Sequence, residues 1–158
     1  MRRLLLVAVV GLVVASVAAG GTTNGTWFGK LRDPDYPEAP LSDLAPGRLV
    51  VTATTAVSAF TGRTSATHDP RDATSTCTSQ YRFVALQDGW RVFRQKGRSQ
   101  ITGVVSGGAP EGSSCNTLGG GALRIHPAGA KLKVQVTAFF EASDPDGWMG
   151  ANSGYFRR

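Results

Sequence analysis

The stretch KLKVQVTAFFEA, residues 131–142, carries the clearest structural pattern in this chain of 158 residues. Apolar side chains occupy every second position: Leu132, Val134, Val136, Ala138 and Phe140. Most of the positions between them are polar, beginning with Lys131 and Lys133. A period of two places successive side chains on opposite faces of an extended chain. The pattern therefore predicts a β-strand with one buried face and one largely wet face.

Other stretches of the chain have the same extended character. RLVVTATTAVSAF, residues 48–60, alternates throughout and is rich in β-branched residues, which predicts one long strand. Asp88-Gly89 separates two predicted strands, and this dipeptide is typical of a two-residue hairpin turn. The remaining predicted strands cover residues 26–31, 79–86, 90–95, 98–106 and 122–126.

The number of strands and the lack of helices indicate the fold class. No stretch after residue 19 has a helical period, and about six to eight short strands separated by turns are typical of a sandwich or a barrel. We expect an all-β protein with a single antiparallel β-sandwich of immunoglobulin-like type over residues 48–158. A small β-barrel is the alternative. Residues 20–47, which contain four prolines, are predicted to form an extended Gly/Pro-rich strap before this domain.

Two local patterns are similar to parts of known families. Gly25-Thr26-Trp27 is similar to the G-x-W pattern of the first lipocalin strand. The spacing from Cys77 to Trp90 is similar to that between the first cysteine and the core tryptophan of immunoglobulin domains. Cys115, however, lies closer than the second immunoglobulin cysteine and has no tyrosine motif before it. Neither pattern names a family, although the second favours the sandwich.

The amino-terminal stretch MRRLLLVAVVGLVVASVAA, residues 1–19, indicates where the protein resides. Arg2 and Arg3 precede an apolar segment, and small residues lead to Gly20. This arrangement predicts a signal peptide that is cleaved before Gly20, and therefore a secreted, extracytoplasmic protein. The alternative is an uncleaved membrane anchor, because about eighteen residues lack a charge, which is near the minimum for a span. Frequent arginine beside scarce lysine is typical of a GC-rich bacterial genome.

The charge distribution limits the class of partner. The formal net charge is +6, and removal of Arg2 and Arg3 leaves 15 basic and 11 acidic residues, a net charge of +4. This excess is mild and does not indicate a nucleic-acid partner. Residues 82–133 nevertheless hold eight basic residues against two acidic ones. We therefore expect an anionic cell-wall polymer, a glycan or another envelope protein as partner, with a membrane contact only if the signal stays uncleaved.

The chain has two cysteines, Cys77 and Cys115. In an exported protein they are predicted to form a disulfide with each other, because two lone cysteines at this spacing lack a zinc pattern. The bond would close a loop of about 39 residues, for which chain entropy favours folding by roughly 4 kcal/mol. It would also restrain the glycine-rich loop at residues 107–121, which contains Cys115.

No set of residues suitable for catalysis is evident in the sequence. Nucleophilic hydrolysis needs a nucleophile, a base and an orienting group. Only His68 and His126 can supply a histidine base, and Ser113 and Ser114 lie in the glycine-rich loop outside a G-x-S-x-G motif. We therefore predict no catalytic residue, no cofactor and no enzyme activity.

A partial metal-binding pattern occurs near the carboxyl end. Glu141, Asp144 and Asp146 resemble part of a calcium loop, because clustered carboxylates on a turn can surround a hard cation. Pro145 stiffens the turn, and no further ligand follows at the required spacing. A plain turn is therefore the preferred interpretation, and no metal is predicted.

The candidate ligand-binding residues combine exposed aromatic rings with the basic middle of the chain. They are Trp148, Tyr155, Arg91, Arg94, Lys131 and Lys133. We expect a secreted or cell-envelope, non-enzymatic binding module. The alternatives are an extracellular hydrolase or enzyme inhibitor that uses residues 107–121, and a membrane-tethered envelope protein.

Amino-terminal sequencing of the exported protein should give a chain that begins at Gly20. A small-residue exit from an apolar segment is the pattern that signal peptidase cleaves. A product that retains Met1 and stays with the membrane would instead identify the segment as an anchor.

Overall fold

The computed structural model describes residues 22–34, 37–63, 74–103, 110, 113, 115, 120–137 and 151–158. These residues form nine strands and contain no helix: β1 (Gly25–Gly29), β2 (Gly47–Val51), β3 (Thr55–Arg63), β4 (Thr74–Gln87), β5 (Trp90–Gln95), β6 (Gln100–Thr102), β7 (Ala122–Ala128), β8 (Lys131–Thr137) and β9 (Asn152–Arg157). Accordingly, nothing in these ranges is a helix of the length and hydrophobicity that a membrane crossing requires. The predicted signal peptide, residues 1–19, lies outside the described residues.

Eight of the strands form a closed antiparallel barrel. Around the ring the order is β1, β2, β3, β4, β5, β7, β8 and β9, and β9 pairs with β1 to complete it. The short strand β6 pairs with β4 and lies outside the ring. The all-β prediction is therefore confirmed, and the barrel given as the alternative is the observed architecture. The described strands do not form the expected immunoglobulin-like sandwich.

Ring closure depends on one strand that was not predicted and one that was placed in the strap. β9 has the sequence NSGYFR, whose polar residues and glycine mask its alternation. It pairs along β8 and then with β1, where Gly29 lies opposite Phe156. β1 pairs with β2, and Trp27 lies opposite Leu49. Because each strand of the ring has a neighbour on both sides, the sheet closes instead of splitting into two layers.

The predicted long strand at residues 48–60 is in fact two strands, β2 and β3, joined by a tight turn. The Thr52 hydroxyl accepts hydrogen bonds from the amides of Thr54 (3.3 Å) and Thr55 (3.0 Å). A threonine side chain stabilises this turn without glycine or proline, so the usual turn signal is missing. The turn also changes which positions face inward, because Val51 and Ala56 are both buried.

Two local predictions agree with the structure. Asp88 and Gly89 have φ angles of 49° and 79°, as a two-residue hairpin turn between β4 and β5 requires. Leu132, Val134 and Val136 of β8 are all buried, while the positions between them face outward. The remainder of the predicted 131–142 strand lies outside the described residues.

Large apolar side chains fill the interior of the barrel. Phe60 and Phe156 meet edge to face with ring centres 6.3 Å apart, and Phe93 is fully buried beside Leu123. An eight-stranded barrel is just wide enough for its own inward side chains or for one small ligand. Here inward side chains from all eight ring strands form one core cluster.

The predicted disulfide between Cys77 and Cys115 is present, with a Cα–Cα distance of 5.9 Å. Cys77 is buried on β4 opposite Phe60 of β3. The bond therefore attaches the chain around Cys115 to the barrel wall.

Gly154→Ala should lower the free energy of unfolding by about 3 kcal/mol, because overpacking against rigid backbone cannot relax. A Cβ at this position would overlap the carbonyl oxygen of Lys30 and lie 3.0 Å from its carbonyl carbon. Two backbone hydrogen bonds between Arg32 and Ser153, 2.8 and 2.9 Å long, hold the chain after β1 against β9. Urea unfolding with the disulfide intact measures the change. Ser153→Ala is the control and should stay near the parent, and equal stability of both variants would contradict the close approach.

Candidate functional site

The structure places the five described candidate ligand-binding residues at three locations. Lys131, Lys133 and Tyr155 lie on the outer face of β8 and β9, where Lys133 is directly opposite Tyr155. Arg94 lies on the outer face of β5 opposite Arg82. Arg91 reaches across one end of the barrel and donates to Thr23 and Thr52. Trp148 lies outside the described residues, as do the calcium candidates Glu141, Asp144 and Asp146.

Arg91 is bound by the protein itself. Its guanidinium donates to the Thr23 hydroxyl and to the Asn24 side-chain oxygen, the latter at 3.1 Å. It also donates to the backbone carbonyls of Thr52 and Ala53, at 2.8 and 2.7 Å. These four acceptors come from the amino-terminal segment and from the β2–β3 turn. Arg91 therefore joins two segments across one end of the barrel.

Aromatic rings and a second arginine also take part in the contacts of the amino-terminal segment and of Arg91. The Arg91 guanidinium carbon lies 5.5 Å from the ring centre of Phe83 and 5.1 Å from that of Phe93. Burial lowers the pKa of Arg91, which stays cationic at neutral pH because the arginine pKa is so high. Arg158 lies 4.9 Å from the Trp27 ring centre and donates to the carbonyl of Thr22 at 2.9 Å. The two arginines together hold residues 22–24 in place.

Rings and cations converge on the outer surface of β5, β7, β8 and β9. We call this surface the aromatic–basic face; its residues are Trp90, Arg124, His126, Lys131, Lys133 and Tyr155. His126, Lys133 and Tyr155 form one cross-strand row, since each is opposite the next. The rings of Trp90 and His126 are 5.3 Å apart. The face is therefore continuous across four strands.

The cations of this face lie over its rings. Arg124 lies 4.8 Å and Lys133 5.6 Å from the Trp90 ring centre, and Lys131 lies 5.9 Å from that of Tyr155. Each such contact at an exposed site contributes about 0.5–1 kcal/mol. Burial lowers the pKa of Arg124, while the charge of Asp88 acts in the opposite direction. The contacts restrict where the positive charges lie.

The exposure of the rings indicates what the face can bind. Tyr155 is 56% exposed, whereas Trp90 is half-buried beneath Arg124 and Lys133. Trp90 therefore positions cations, and Tyr155 presents an open ring. An exposed ring can stack on a sugar, and the two ammonium groups beside it can bind the acidic substituents of that sugar.

The sequence interpretation found three of these six residues. Trp90, Arg124 and His126 were missed as members of the face, because they lie on other strands and meet the rest only through the β5–β7–β8 register. Of the three, Arg124 alone contributes to the excess of basic residues at 82–133. Alternation on β7 could have placed Arg124 and His126 on the same side.

The described residues supply no obvious reaction chemistry. His126 packs against the Trp90 ring, and His68 and Ser114 lie outside the described ranges. The Ser113 hydroxyl is buried without a hydrogen-bond partner in the described part of the chain. Within that part, no three His, Cys, Asp or Glu side chains are grouped as metal ligands would be.

Comparison of the chain with protein families, with curated proteins and with solved structures finds no match. The lipocalin-like residues Gly25-Thr26-Trp27 do lie in the first strand of an eight-stranded antiparallel barrel, which is also the lipocalin architecture. This likeness concerns architecture and a three-residue pattern. The case for a function therefore rests on the surface geometry.

Arg91→Lys should lower the free energy of unfolding by about 2 kcal/mol, because one ammonium group cannot reach all four acceptors. Urea unfolding of the disulfide-bonded chain measures this loss. Hydrogen exchange should show faster exchange in residues 22–24 and 52–54. Arg48→Lys, at an exposed site on β2, is the control and should leave stability unchanged. An Arg91→Lys variant as stable as the parent would contradict the role of Arg91 in joining the amino-terminal segment to the β2–β3 turn.

Proposed function

We propose that this protein is a secreted, non-enzymatic binding module that holds an anionic glycan of the cell envelope on its aromatic–basic face. The observation that carries the proposal is the exposed Tyr155 ring beside Lys131 and Lys133 on two paired strands. This combination offers ring stacking and positive charge at one place.

The strands beneath the face fix the backbone that carries its side chains. Lys131 and Lys133 alternate with Leu132 and Val134, which are fully buried in the barrel. Tyr155 precedes Phe156, whose ring is also in the core. A ligand that binds here orders little of the protein, so less of the interaction energy is lost to ordering.

The chemistry of the face favours an acidic glycan over other polymers. A polyanion without rings would use the lysines and leave the Tyr155 ring unoccupied. A neutral glycan would use the ring and offer no counter-charge to Lys131 and Lys133. A glycan with carboxylate or phosphate groups engages both, and long-range attraction to the basic surface speeds its binding.

The predicted signal peptide at residues 1–19 and the disulfide support an extracytoplasmic location. Disulfides persist in oxidising compartments and are rare in the cytosol. The hydrolase or inhibitor alternative depends on residues 107–121, most of which lie outside the described ranges, and the membrane-tethered form depends on residues 1–19. Both stay predictions.

Biolayer interferometry with immobilised hyaluronan, a carboxylated glycan, and dextran, a neutral one, tests the proposal. We expect the full disulfide-bonded chain to bind hyaluronan, to lose affinity as salt is raised, and to bind dextran much more weakly. Tyr155→Ser should weaken hyaluronan binding about tenfold, as loss of about 1.4 kcal/mol would do. Lys131→Gln/Lys133→Gln should weaken it at least as much.

Two controls separate recognition from bulk charge. Arg48→Gln/Arg98→Gln removes the same charge from exposed positions off the face and should keep most of the affinity. Polyglutamate carries carboxylates without sugar rings, so Tyr155→Ser should not alter its binding. Equal effects of the two double variants on hyaluronan, or no effect of Tyr155→Ser, would reject this face as the glycan site.

A further inference from the structure

A second exposed ring lies beside the aromatic–basic face, on the outer surface of β1. Phe28 is 55% exposed, whereas Trp27, the residue before it, is buried in the barrel. Phe28 lies directly opposite Arg157 of β9, and Arg157 is two residues from Tyr155, so both point to the outside. Diagonal neighbours of this kind are about 7–8 Å apart. The rings of Phe28 and Tyr155 therefore lie on neighbouring strands of one outer surface.

Positive charge accompanies the second ring, as it does the first. Leu132 pairs with Phe156, and the outward residues next to this pair are Lys131 and Arg157, which therefore lie side by side. Both of these cations are exposed. Arg157 is thus placed between Lys131 on β8 and the ring of Phe28 on β1. The charged surface continues from the aromatic–basic face to the second ring without a break.

The two rings define a direction across the barrel wall. A line from Tyr155 to Phe28 is oblique to the strands, because it passes from β9 to β1 and also advances two residues along them. On β2, Arg48 lies opposite Phe28, and Val50 lies two residues further on, opposite Thr26. The line continued from Phe28 leads to Val50 and passes to one side of Arg48. This surface fits an elongated ligand that crosses the strands.

We propose that the aromatic–basic face and Phe28 together bind an internal stretch of a long anionic glycan chain, with one sugar stacked on Tyr155 and a later sugar stacked on Phe28. This inference rests on the proposed function and extends its site. Arg157 binds an acidic substituent between the two stacked sugars, because a guanidinium matches the paired oxygens of a carboxylate. Lys131 and Lys133 bind the substituents around the first sugar.

A long chain gains from this arrangement in a way that a single sugar does not. Once one sugar is stacked on Tyr155, the contact with Phe28 is made within the same complex, at a high effective concentration. The rigid strands beneath both rings keep their backbone spacing constant. A chain therefore binds more tightly than either ring alone would hold a sugar.

NMR of the full disulfide-bonded chain with a hyaluronan octasaccharide tests this path. We expect intermolecular NOEs from sugar protons to the ring of Tyr155 and also to the ring of Phe28. NOEs to Tyr155 without any to Phe28 would overturn this inference and leave the proposed function standing. Absence of NOEs to both rings, with no binding in calorimetry, would overturn the proposed function as well.

Variants of the second ring measure its contribution to octasaccharide affinity in calorimetry. Phe28→Ser should weaken binding about tenfold, and Phe28→Trp should bind at least as tightly as the parent, because an indole ring also stacks on a sugar. Leu86→Ser removes another exposed apolar side chain, 70% exposed on β4, and should bind as the parent does. Arg157→Gln should weaken binding about fivefold, whereas the matched Arg98→Gln should not.

The comparison with Tyr155→Ser separates the two proposals. Weaker octasaccharide binding in both Phe28→Ser and Tyr155→Ser supports the long path. Weaker binding in Tyr155→Ser with parental affinity in Phe28→Ser would overturn this inference alone. Sedimentation of the chain without ligand tests a second copy as the occupant. A dimer that Phe28→Ser abolishes would assign the ring to that contact and would overturn the glycan path.

Discussion

The pairing of the last described strand with the first one holds this architecture together. Gly29 of β1 lies opposite Phe156 of β9, and this contact turns a row of antiparallel strands into a ring. Closure removes the open edges of the eight ring strands, which would otherwise invite pairing with other chains. It also encloses one core, in which Phe156 meets Phe60. Glycine at position 29 permits the approach, because a Cβ there would lie 2.6 Å from the Phe156 ring.

The described charged side chains lie at the ends and on the outside of the barrel, because the core is largely apolar. Arg91 is the clearest case, because its hydrogen-bond acceptors come from two segments at one end of the ring. The other basic residues of the middle segment lie on outer surfaces. The register places Arg124, Lys131 and Lys133 on the aromatic–basic face. Cross-strand pairing thus groups side chains that are far apart along the chain, such as Lys133 and Trp90.

Local patterns predicted strands well and their ends less well. Alternation identified β8, and Asp88-Gly89 identified the β4–β5 hairpin, since both signals depend on a few consecutive residues. Residues 48–60 misled because a threonine hydroxyl makes the turn at Thr52 without a glycine. β9 was missed because Gly154 is required by packing against Lys30 and weakens the strand pattern. These errors favoured an open sandwich over a closed barrel.

The sequence by itself determined the fold class, the disulfide partners, the export signal as a prediction, and the excess of basic residues in the middle of the chain. Each of these follows from composition or from neighbours along the chain. The tertiary structure alone decided ring closure and the grouping of side chains. Tyr155 and Lys133 meet because β8 and β9 pair in one register, whereas Arg91 faces a barrel end. A shift of one residue would reverse every face, and local sequence does not specify that register.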